Sequence, residues 1–149
     1  MLDKLLNECI MAPAMKCIVT MLTCLLMVWS VAAEQVTALR PAIREAAAAN
    51  GVDPVLMEAI IRHESANATS SAARKKNNLA GIMGRRGQRS YESKEACVQD
   101  LGRLLGKYKA KGRVTVAQIG RVYCQSGSPW ARYINSYMKQ IKDGKWGAL

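Results

Sequence analysis

Glu64 closes an apolar run, DPVLMEAIIRHES over residues 53–65, and a polar stretch then leads to NNLAGIMG over residues 77–84. A carboxyl at the end of a buried helix, facing a sugar-sized groove, is suited to general-acid chemistry. Burial disfavours the charged form, so such a group can hold a proton near neutral pH and pass it to a departing oxygen. Cleaving a glycosidic bond needs that proton, and it needs stabilisation of an oxocarbenium-like transition state. Glu92 is the candidate second carboxylate, placed just before a helix start. Glu95 sits in the first turn of that helix, where the macrodipole favours a carboxylate without any catalytic role.

Other residues could hold a sugar. Ser65, next to Glu64, either meets substrate or caps the helix end. The amides of Asn77 and Asn78 can bond acetamido groups and hydroxyls, or hold the turns of their own segment. Gly81 and Gly84 let backbone approach a ligand closely. Tyr123 offers a hydroxyl and a ring, and Trp130 offers an indole face of the kind that packs on a pyranose. Both also fit a helical core face. His63 reads as a packing residue.

Five helices must position these groups. The first is expected over 36–49, with Val36, Leu39, Ile43 and Ala46 on one face and Asn50-Gly51 as its stop. Asp53-Pro54 caps and opens the second, through Ser65. Ser93 caps the third, carrying Cys97, Leu101, Leu104, Leu105 and Tyr108. Thr115 opens the fourth and Ser128-Pro129 the fifth, with Tyr133, Ile134, Tyr137, Met138 and Ile141 inward. Residues 66–92 form a polar lobe too long for a plain connection, with a short hairpin expected around Gly84–Gly87. The fold class is mainly α: one domain facing a cleft.

The 149 residues allow a single modest core. Met15-Lys16 precedes the apolar run 17–31, and Val31-Ala32-Ala33 precedes Glu34, the pattern of a secretory signal peptide. Residues 1–33 are therefore expected to be a signal peptide or an N-terminal membrane anchor, and 34–149 the working domain, exported to periplasm, wall or medium. Three of the five cysteines lie in the leader; Cys97 and Cys124 remain, as a disulfide or as two small buried hydrophobes. With one His and no cluster of ligand spacing, neither metal nor cofactor is implied. The net charge is +11, and Lys4 and Lys16 balance Asp3 and Glu8, so residues 34–149 keep all of it. Such a chain attracts polyanions. Nucleic acid is the default partner inside a cell; after export, anionic wall polymers or a membrane surface take that place.

MEAIIRHES at 57–65, NNLAGIMG at 77–84, SYESKE at 90–95 and a late tyrosine, together spanning about 45–142, resemble the bacterial glucosaminidase domain. The resemblance implies a lysozyme-like fold, peptidoglycan glycan strands as substrate, Glu64 as general acid and Tyr123 facing it. The Glu-Ser pair is also similar to lytic transglycosylases, in which one glutamate serves as acid and then base, and muramidase action fits the same fold. A glycan-binding module without turnover is the reading from outside the enzymes. Two departures imply a wider or differently lined groove. Ala80 stands where the family often has a large aromatic, and Ala66-Asn67-Ala68 replaces its Gly-Trp-Gly.

Overall fold

The computed structural model describes residues 34–124 and 129–147, which belong to one compact unit. The expected leader, and Ser128 as a cap, lie outside the described residues. Besides a helical turn at residues 34–37, the described residues form α1 (Arg40–Asn50), α2 (Pro54–Glu64), α3 (Ser71–Lys76), β1 (Met83–Gly84), β2 (Gly87–Gln88), α4 (Lys94–Ala110), α5 (Val116–Tyr123) and α6 (Trp130–Lys142). The fold is mainly α, as expected of a lysozyme-like domain. No helix among the described residues is long and apolar enough to cross a membrane.

The helix ends follow local chemistry. The first helix starts later than periodicity suggests, because Pro41 occupies its first turn, lacks an N–H and fixes φ. Residues 34–37 form a separate helical turn before it. Gly51, at φ 60°, terminates α1 in the left-handed conformation that its missing Cβ permits. Asp53 Oδ1 accepts from the Val55 N–H at 2.8 Å and starts α2. Ser93 caps α4, and Thr115 and Gln118 form a reciprocal capping box on α5. The short α3, inside the lobe, has no counterpart in the apolar pattern: SAARKK buries Ala73 alone.

Helix α2 is central, buried continuously from Leu56 to Arg62, and packs on α1 and α6. Helix α1 also packs on α4, where Gly102 removes the Cβ that would lie 3.0 Å from the Ala46 carbonyl oxygen. Glu58, in the middle of α2, is fully buried and receives two guanidinium groups. Arg40 donates from both Nε and Nη2 (2.9 and 3.0 Å), and Arg62 from Nε and Nη2 (2.8 and 2.7 Å). Arg40 also donates to the Trp146 and Gly147 carbonyls. Arg62 reaches Asn67 and Thr37 and lies 4.1 Å over the Trp146 ring. Burial pushes the Arg62 pKa down, against the bond and charge of Glu58. This trio binds the tail and the lobe's first turn to the helix that ends on Glu64.

The lobe begins with Ala66, Asn67 and Ala68 at φ 49°, 55° and 69°, three consecutive non-glycine residues in the left-handed region. Each costs about 1 kcal/mol relative to glycine. Ala66 is exposed, so Ala66→Gly sacrifices no packing and should stabilise the domain by about 0.5–1 kcal/mol, net of glycine's greater freedom in the unfolded chain. A denaturation midpoint that rises at constant slope checks this; an unchanged or lower midpoint contradicts it. Further on, buried Asn78 donates to the Ile82 and Arg89 carbonyls and accepts from the Ile82 N–H, closing the base of the hairpin. Met83 pairs with Gln88 and Gly84 with Gly87, with Arg85 and Arg86 at the turn.

No disulfide joins Cys97 to Cys124. Cys97 is buried in the core, where Sγ accepts from the Leu79 N–H at 3.3 Å and burial pushes the thiol pKa up.

Candidate active site

Glu64 is the last residue of α2, half-buried, at the wall of a hollow of about 480 Å³. Ser70, Ser71, Lys75 and Lys76 from the α3 segment line it, with Gly81 and Gln88 opposite. Both carboxylate oxygens have defined neighbours. Oε1 accepts from the Trp130 indole N–H at 2.7 Å. Oε2 lies where a side chain at position 81 would collide, since a Cβ there would be only 2.9 Å away. Gly81 has φ 64°, so its backbone needs glycine as much as the space does.

Trp130 is 3 % exposed, so its indole is not a free platform for a sugar. One face stacks on Tyr123 at 5.3 Å and 27°. Its edge fits against Gly120, where a Cβ would lie 2.9 Å from Cε3. The ring holds Glu64 from the core side. Gly120 therefore belongs to the site although sequence reasoning missed it; glycine within a helix costs about 1 kcal/mol, which is the signal that something packs closely there.

Tyr123 comes to the same place, yet its hydroxyl donates to the Ala80 carbonyl and so fixes the strand of chain that carries Gly81. Burial, and secondarily the nearby Glu64 charge, push the Tyr123 phenol well above its ordinary pKa, so it stays a neutral donor. Ser65 is fully buried: Oγ donates to the Ile61 carbonyl and accepts from the Ala68 N–H. Asn77 caps α3 in the left-handed region and donates to the Tyr91 and Glu92 carbonyls. Ser65, Asn77 and Asn78 thus bond to backbone of α2 and the lobe, and none of them lines the hollow. Glu92 is exposed and lines neither this hollow nor its neighbour. His63 packs between Tyr133 and Tyr137.

A second hollow, of about 700 Å³, shares Gly81 with the first. Tyr108, Val122 and Tyr123 line it together with Arg89, Asp100 and Lys107. Among the described residues no group of three His, Cys, Asp or Glu side chains is arranged to hold a metal ion.

Glu64 thus ends its helix with one oxygen held by the Trp130 indole and the other beside Gly81, at the wall of the first hollow. Residues 40–143 match the model of the glucosaminidase family, described as mannosyl-glycoprotein endo-beta-N-acetylglucosaminidase. The chain belongs to the glucosaminidase family. It is accordingly a glycoside hydrolase, with peptidoglycan glycan as the substrate that the family implies. No curated protein and no solved structure matches it. The glucosaminidase assignment covers α1 to α6 and the hairpin, so both hollows lie within the matched span.

The indole bond should matter to turnover more than to binding. Trp130→Phe keeps a ring against Tyr123 and Gly120 but removes the donor to Glu64 Oε1. A hydrogen bond to a charged group is worth about 1.5–3 kcal/mol, so kcat should fall by roughly tenfold or more with KM little changed. Unaltered kcat in a folded Trp130→Phe enzyme would deny the indole a positioning role.

Proposed function

We propose that this glucosaminidase is an exported enzyme that cuts the glycan strand of peptidoglycan as a β-N-acetylglucosaminidase, with Glu64 as general acid. The observation that carries the proposal is the placement of Glu64: the Trp130 indole holds Oε1, and the bare backbone of Gly81 leaves room for Oε2, at the wall of a hollow of about 480 Å³. Trp130 and Tyr123 act as positioning residues, one on the carboxylate and the other on the Ala80–Gly81 wall. Lys75 and Lys76 give the hollow a positive rim that suits an anionic strand. Export rests on the Lys16, apolar run and Ala33 pattern of the leader. The intact mass of the protein recovered from cells decides it: a chain starting at Glu34 supports cleavage, and a full-length chain at the membrane supports an anchor.

Glu64 is the one carboxylate among the residues lining its hollow, which favours a second reading. A single glutamate can act as acid and then as base if the substrate supplies the nucleophile, as in a lytic transglycosylase. Mass spectrometry of soluble products from purified peptidoglycan separates the two. Fragments ending in reducing N-acetylglucosamine support the glucosaminidase reaction. Anhydro-muramic ends would replace it with transglycosylation, and reducing muramic ends with muramidase action.

A further inference from the structure

The second hollow has a charge balance unlike that of a neutral sugar site. One face of α4 lines it, with Asp100, Leu104, Lys107 and Tyr108 recurring at helical spacing. Asp100 is its only lining carboxylate, and that carboxylate is already committed. Oδ2 accepts from Arg89 Nη1 and the Tyr91 hydroxyl, both at 2.8 Å, and Oδ1 from Arg103 Nη2 at 3.2 Å. Burial opposes ionisation of Asp100, but the Tyr91 bond and the two guanidinium groups outweigh it and hold its pKa below the usual range. Two arginines therefore share one aspartate. Lys107, two turns beyond Asp100 along α4 and exposed, is in no ion pair among the described residues. The local excess is positive, and it borders an apolar flank of Leu104, Tyr108 and Val122. The volume is ample for a small-molecule substituent.

We propose that this hollow receives the carboxylate-bearing substituent carried on alternate sugars of the glycan, with Lys107 as its electrostatic partner and the α4 face as its apolar bed. A carboxylate on a short apolar stem, whether a bare lactyl ether or one extended by peptide, matches both features. The assignment rests on the reading of the first hollow as the place of cleavage: because Gly81 is common to both, a strand with its scissile bond at Glu64 sets a neighbouring sugar's substituent toward Lys107. The second hollow then selects acidic glycan over uncharged glycan of the same backbone, and the enzyme's specificity has a physical seat apart from its acid.

The test compares the full-length enzyme on glycan strands with free carboxylates and on the same strands after chemical amidation of those carboxylates. The ratio of the two kcat/KM values, at low salt, is the readout. Wild type should prefer the free acid by about fivefold, the scale of a solvent-exposed ion pair, and raised salt should erase the preference. Lys107→Ala should bring the ratio close to one, Lys107→Glu should invert it, and Lys107→Arg should retain it. A ratio that stays at the wild-type value in Lys107→Ala overturns the proposal, as does a wild-type ratio of one. Strands stripped of peptide but keeping the lactyl carboxylate assign the source: retained preference names the lactyl group and lost preference the peptide, each within the proposal. Glu64→Gln keeps the two readings apart, since its survival on both substrates would remove the acid assignment without altering the Lys107 ratio.

Discussion

Glu64→Gln should lower the release of soluble glycan fragments by about 10³-fold, in the middle of the range for a positioned general acid. The substitution is close to isosteric. Its carbonyl oxygen can still accept the Trp130 N–H, and an amide occupies the space that Gly81 clears for Oε2. Stability should therefore stay within about 0.5 kcal/mol of wild type. What is lost is the proton, because a carboxamide cannot protonate the departing oxygen. The effect should be large because no other carboxylate lines the hollow. Product analysis of the residual activity adds a second readout: the same product ends at a far lower rate are expected. A fall of less than tenfold in a folded protein would place the acid elsewhere.

The order of helices and the position of Glu64 were legible because they depend on local chemistry. Asp53-Pro54, Ser93 and Thr115 announce helix starts by side-chain oxygens that reach backbone N–H groups two or three residues on, and Gly51 announces a stop. The hairpin was legible from Gly84 and Gly87. Roles that depend on which side chain faces which were not. Trp130 reads as a sugar platform until the fold buries it against Gly120, and Tyr123 reads as a substrate contact until its hydroxyl meets the Ala80 carbonyl. Ser65, Asn77 and Asn78 have the right groups for binding acetamido sugars, but a lobe with so few apolar residues needs those groups for its own turns. Glu92 lies close to the site along the chain, yet its backbone rather than its carboxylate is used, by Asn77. The buried trio leaves a trace in the sequence: Glu58 and Arg62 stand four apart inside an otherwise apolar run, the spacing of a helical ion pair.

Glu58→Ala should be the most destabilising substitution of a charged residue in this domain. Glu58 is fully buried, and its carboxylate is shared by Arg40 and Arg62, both of them also buried. Removing it leaves two like charges facing a cavity, and breaking a buried pair in this way costs about 3–5 kcal/mol. For a domain of this size that corresponds to a fall in Tm on the order of 10–20 °C. Glu95→Ala is the natural contrast: Glu95 is exposed in the first turn of α4, so its loss should cost no more than about 0.5 kcal/mol. The consequence for catalysis runs through geometry. Arg62 ties α2 to Asn67 in the strained turn, and Arg40 ties it to the Trp146 and Gly147 carbonyls of the tail. Glu64 lies six residues beyond Glu58 on the same helix, so loosening the trio loosens the acid. Activity measured well below the new Tm should therefore fall in kcat before it is lost to unfolding, and a Glu58→Ala protein with wild-type Tm would show that the two arginines find other partners.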